Sequence, residues 1–165
     1  MLILRNHRGF CVLVSVVLVP NALAACTSDN NTTADASGEC TTALNGGALV
    51  PETAGAGTRP VAAGGTLLDG MYYLTKSEVY TPGTPDATMR KRVWVFAGNA
   101  FEAVNNDTNG PERKLSGTMS ASGTQLTLTV TCPTAASATI NYTATATTFT
   151  EHPSSGEDLF VFTKQ

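Results

Sequence analysis

Charge is scarce in this chain: 14% of its 165 residues are Asp, Glu, Lys or Arg, and histidine occurs twice. Lys and Arg number 10 against 13 Asp and Glu, so the basic surface that nucleic-acid recognition requires is missing. His7 and His152, with four cysteines and no Cys-x-x-Cys, are too few and too scattered for a zinc site. No metal or other cofactor and no nucleic-acid partner is therefore expected. Helix formers are thin as well. Twenty-six threonines, 15 glycines and 8 prolines favour strands and turns. The apolar run from Phe10 to Val19 would span about 15 Å as a helix, half a bilayer core, which argues against a permanent transmembrane anchor there.

What is present at the N-terminus reads as a targeting segment. Arg5 and Arg8 precede that apolar run, and small residues lead into Leu23-Ala24-Ala25-Cys26, a secretory cleavage pattern. Residues 1–25 are accordingly expected to be a cleaved signal peptide. Leu23-Ala24-Ala25-Cys26 also resembles the bacterial lipobox, at which a lipoprotein precursor is acylated and cut before the cysteine. The resemblance implies a lipidated Cys26, an anchor in membrane lipid and a cell-envelope location. By the same resemblance Thr27 points to the outer membrane. Ordinary cleavage at Ala-x-Ala, with Cys26 merely nearby, is the alternative.

Residues 26–65 hold no aromatic side chain and are rich in Ser, Thr, Asn, Gly and Ala. Such a stretch buries too little apolar area to offset its ordering entropy, so a flexible tether reaching roughly 35 Å is expected. The ten aromatics after position 26 all lie within 66–165, which places the domain there. Cutting at turn-forming residues gives eight extended segments, near 70–80, 92–97, 99–106, 113–121, 124–132, 137–145, 147–151 and 158–164. Gly98-Asn99, Asn109-Gly110 and Ser122-Gly123 suit tight hairpins.

Alternation is clearest in the middle. Leu126, Leu128, Val130 and Cys132 alternate with threonines, as do Ala138, Ile140, Tyr142 and Ala144 with Thr139, Asn141 and Thr143. Period two means one buried face and one wet face. The first, second and last segments are instead apolar on both faces, as in Val93 and Val95 against Trp94 and Phe96. An outward apolar patch is expected there, covered by residues 44–61 or by a partner. Eight short strands with short connections predict an all-β, eight-stranded antiparallel up-and-down barrel over 66–165, with a β-sandwich as the alternative.

Gly70-Met71-Tyr72-Tyr73-Leu74 resembles the Gly-x-Trp opening of lipocalin-like barrels, with Tyr72 at the Trp position. Leu115 to Leu126 resembles a hairpin of small bacterial lipocalin-like lipoproteins. These resemblances imply a small apolar ligand or lipid held by the barrel. A non-enzymatic envelope module working through its outer surface is the other reading.

Cys11 leaves with the signal peptide and Cys26 is taken by lipid, so Cys40 and Cys132 remain to form a disulfide in an oxidising compartment. Pairing of Cys40 between chains is the alternative. By alternation Cys132 falls on the inward face.

Three clusters invite chemistry and lose to simpler readings. Asn105, Asp107, Asn109 and Gly110 imitate the start of an EF-hand loop, but the twelfth position is Ser116, so a hairpin is expected. His152, Ser154, Ser155 and Asp158 crowd one loop, where triad members rarely converge, and there is no Gly-x-Ser-x-Gly elbow. Arg90-Lys91-Arg92 reads as a solvated rim. No catalytic residue, and no enzyme activity, is expected.

Overall fold

The computed structural model describes residues 40–154 and 156–165. The expected signal peptide and Cys26 lie outside the described residues. Among the described residues there are nine strands in one mixed sheet: β1 (Val50–Ala54), β2 (Gly70–Val79), β3 (Met89–Ala97), β4 (Ala100–Asp107), β5 (Arg113–Ser122), β6 (Gln125–Cys132), β7 (Ala136–Ala144), β8 (Thr148–His152) and β9 (Asp158–Lys164). From β2 to β9 each strand pairs antiparallel with the next. β9 then pairs with β2, so the ladder returns to the strand on which it began.

Strands β2 to β9 fall on the eight extended segments; β1 does not, and it corrects the eight-stranded antiparallel expectation to nine strands in a mixed sheet. β2 and β3 hold register only where Gly70–Tyr73 faces Val93–Phe96, and β2 bulges between Leu74 and Lys76. β1 occupies the gap beyond, parallel to β2 (Glu52 opposite Ser77) and antiparallel to β3 (Val50 opposite Arg90). The flexible tether expected over 26–65 is corrected in the same way from Cys40 onward. The Cys40 disulfide, backbone and side-chain hydrogen bonds and the burial of Ala43 hold this stretch. Asn45 donates to the Lys91 carbonyl at 2.7 Å, and Arg59 donates to the carbonyls of Pro153 and Asp158.

The inner face of the sheet carries the main core: Tyr72, Leu74, Trp94, Phe96, Phe101, Leu126, Leu128, Tyr142, Phe149, Phe160 and Phe162 form one buried cluster. Phe149 stands at its centre, with the rings of Phe96, Phe162 and Trp94 at 5.2, 5.6 and 5.8 Å. A second cluster lies outside, where Ala43 covers Val93 and Val104, with Met71, Tyr73 and Val95 packed against them. Gly46 and Gly47 lie against the Tyr73 ring, where added side chains would crowd it. Ala43, Gly46 and Gly47 thus lie over the outward faces of β2 and β3, whereas Leu44, Leu49 and Val61 of the expected cover over 44–61 are exposed.

Cys40 is bonded to Cys132, with the two Cα atoms 5.3 Å apart. The inward placement of Cys132 is corrected by a bulge. Gly117 pairs with Val130 but Ser116 pairs with Cys132, leaving Thr131 as the extra residue. One added residue reverses the alternation, so Cys132 joins Ser116 and Glu102 on the outer face, where Cys40 can reach it. The bulge requires glycine at 117, since a Cβ there would collide with the Thr129 carbonyl. Beside the disulfide the Thr41 hydroxyl donates to the Glu102 carboxylate, which also accepts from the Ala43 N–H at 3.3 Å.

Candidate functional site

The two ends of the inner face differ. At the end where β2 begins, residues 64–69 cross over the core. Tyr72 donates its hydroxyl to the Leu68 carbonyl at 2.8 Å, Tyr142 to that of Gly65 at 2.7 Å, and Leu67 packs on the inner cluster. Gly64, at φ +69°, bridges to Thr143, and a Cβ there would strike the Gly123 carbonyl. That end is capped.

At the opposite end the inner face turns from aromatic to charged. Alternation places Arg90 and Arg92 on the face of Trp94 and Phe96, Asn105 and Asp107 on that of Phe101 and Ala103, and Glu151 on that of Phe149. The register sets Arg92 opposite Asn105 and Asn105 opposite Arg113, one row across β3, β4 and β5. Arg92 donates to both carboxylate oxygens of Asp107, at 3.2 and 2.8 Å, and its guanidinium lies 4.4 Å from the Phe160 ring centroid. Arg90 pairs with Glu52 at 2.8 Å, both side chains close to fully buried. Burial pushes the Glu151 carboxyl above the usual range, with the Arg92 charge opposing.

Among the described residues, three buried polar atoms at this end have no hydrogen-bond partner: Ser77 Oγ, Arg90 Nε and Asn105 Oδ1. Such atoms are nearly always paired in folded proteins, so a group of them at one end is a polar site rather than a packed core. Arg92, Asn105, Asp107, Gly110, Pro111 and Arg113 line a pocket of about 180 Å³ there. The solvated-rim reading of Arg90-Lys91-Arg92 missed this. Its signal was the shared parity of Arg90 and Arg92 with Trp94 and Phe96, obscured because Val93 and Val95 are apolar as well.

The other clusters take simpler roles. Asn105 and Asp107 belong to β4, and among the described residues no group of three His, Cys, Asp or Glu is placed to hold a metal. Ser155 lies outside the described residues, Ser154 is exposed, and His152 turns its Nε2 to the Thr143 hydroxyl at 3.1 Å. His152 is buried on the outer face of β8, in the wall of a cleft of about 320 Å³ shared with Arg59, Pro60 and Asn141.

Burial, and then the Arg59 charge, hold the His152 imidazole below its ordinary value, with the Pro60 carbonyl opposing. The folded protein therefore takes up this proton at lower pH than the unfolded chain does. Stability is lost as pH falls below the ordinary value of 6.5. Thermal unfolding from about pH 7 to about pH 5 is expected to show a falling midpoint that His152→Asn flattens. Glu151, whose pKa is raised, acts with the opposite sign but is common to both proteins, so the difference isolates His152. Equal slopes would place the titration elsewhere.

Comparison of the chain with protein-family models, with curated proteins and with solved structures finds no match.

Proposed function

We propose that this protein is a lipid-anchored, non-enzymatic binding module of the cell envelope. In this reading residues 1–25 are removed and an acylated Cys26 holds the chain to the outer membrane. β2 to β9 form a lipocalin-like, eight-stranded barrel, with β1 wedged into its wall, and the polar end of the barrel binds. The observation that carries the reading is the chemistry of the inner face. Aromatic rings fill its centre and apolar side chains line the cleft at the crossed-over end, whereas Ser77 Oγ, Arg90 Nε and Asn105 Oδ1, unpartnered, and a pocket lined by Arg92, Asp107 and Arg113 lie at the other. This favours a polar guest at the mouth over an apolar one in the interior.

One observation favours the apolar ligand that the lipocalin resemblance implies, but on the outer wall. A groove of about 520 Å³ runs between residues 46–51 and Tyr73–Thr75, and the half-exposed Leu49 lines it. A fluorescent fatty acid whose binding Leu49→Asp abolishes would select this second reading.

Anchoring is tested separately. The wild-type protein is expected to enter the detergent phase with a mass above that of the polypeptide from residue 26, and Cys26→Ser to remain in the aqueous phase. Equal partitioning and unmodified mass in both would remove the lipid anchor.

A further inference from the structure

The row formed by Arg92, Asn105 and Arg113 carries an inference about what the polar end binds. We propose that it is a binding site for a short α-hydroxy acid, with the carboxylate on Arg113 and the hydroxyl donating to Asn105. The proposal rests on the reading of the polar end as the binding surface and gives it a ligand class.

Charge selects the carboxylate. Arg92 is committed to Asp107 by two hydrogen bonds, whereas Arg113 is exposed and makes no ion pair among the described residues. Two guanidiniums and one carboxylate leave the pocket one positive charge, which suits a monoanion. Asp107 in the same wall opposes a dianion such as phosphate. The free guanidinium fork matches the planar carboxylate with two parallel bonds.

Asn105 Oδ1, unpartnered and closed to a water-sized group as the side chain stands, selects the hydroxyl once the amide turns into the pocket, a side-chain rearrangement common on binding. It is an acceptor, and a carboxylate beside it brings only further acceptors. A hydroxyl next to the carboxylate supplies the donor that it lacks. Register then sets the floor: the next row inward is Trp94, Ala103 and Leu115, apolar, with the fully buried Ala103 in its middle. A methyl or methylene group suits that floor. Size limits the rest, since 180 Å³ equals about six water volumes, room for an acid of three or four carbons.

Amide NMR titration of the mature protein with lactate, propionate and inorganic phosphate tests the site. Lactate is expected to shift the amides of residues 105–113. Propionate, which lacks the hydroxyl, is expected to bind about fivefold more weakly, one neutral hydrogen bond's worth. Arg113→Gln should weaken lactate about tenfold or more through loss of the charge-assisted pair, and Asn105→Leu should reduce lactate to the level of propionate. No shift with lactate, propionate equal to lactate, phosphate tighter than lactate, or an unchanged Arg113→Gln each overturns the proposal. Failure of lactate with Cys26-dependent anchoring intact would remove the ligand and leave the anchored module standing. Lactate binding in a protein that proves unanchored would do the reverse.

Discussion

Removing the Cys40–Cys132 disulfide, by reduction or by Cys40→Ser with Cys132→Ser, is expected to lower the thermal midpoint by roughly 15 °C. The bond closes a loop of sequence separation 92, for which the chain-entropy relation gives about 4.7 kcal/mol. The local consequence is more specific than the midpoint. Cys40 is the point at which residues 41–47 are fastened over the outer faces of β3 and β4, with Ala43 covering Val93 and Val104. Once the bond is gone, the Thr41 and Ala43 contacts to Glu102 and the Asn45 bond to the Lys91 carbonyl still tie that stretch to the sheet. Hydrogen exchange in the reduced protein should therefore rise first over 41–49, before the strands of the inner core. A midpoint unmoved by reductant, or uniform exchange across the sheet, would contradict this account.

The contrast between β2 to β9 and β1 explains what could be read from the sequence. Most of β2 to β9 carry their own alternation or their own turn, so local residues suffice to locate them, although the break at Thr145–Thr147 between β7 and β8 has no turn signal. Val50-Pro51-Glu52-Thr53-Ala54 has neither an aromatic residue nor a clean period. It becomes a strand because β2 and β3 separate beyond Tyr73 and expose unpaired backbone, a circumstance set by residues far away in sequence. The pairing of Cys40 with Cys132 was accessible by elimination. The face on which Cys132 stands was not, because one extra residue at Thr131 reverses the parity and nothing in Leu126 to Cys132 announces it. That the outer faces of β2 and β3 need a cover could be anticipated from the both-sided pattern of Val93 to Phe96; that Ala43 supplies it, and not the exposed Leu44 or Val61, could not. That same pattern concealed the polar site, since with both faces apolar the inward parity of Arg90 and Arg92 could not be assigned.

Glu52→Ala is expected to cost about 3–5 kcal/mol, as much as a large core truncation, although it removes one side chain from a five-residue strand. Glu52 Oε1 lies 2.8 Å from Arg90 Nη1, with side chains 3% and 11% exposed, and Glu52 Oε2 accepts from the Asp86 N–H at 2.9 Å. Without Glu52 the Arg90 guanidinium stays buried, 5.7 Å from the Phe160 ring, and its remaining ion-pair partner is the largely exposed Asp86 at 3.9 Å. The cost is that of a desolvated cation with poor compensation, not the worth of a salt bridge. The double variant Glu52→Leu with Arg90→Met removes both charges and should recover most of the loss. Urea unfolding of the singles and the double measures the coupling directly. Recovery in the double would mean that the pair's main effect is to fix β1 in the gap between β2 and β3. Simple additivity would mean that Arg90 finds water as soon as Glu52 is gone, and that the polar end is open to solvent as deep as Phe160.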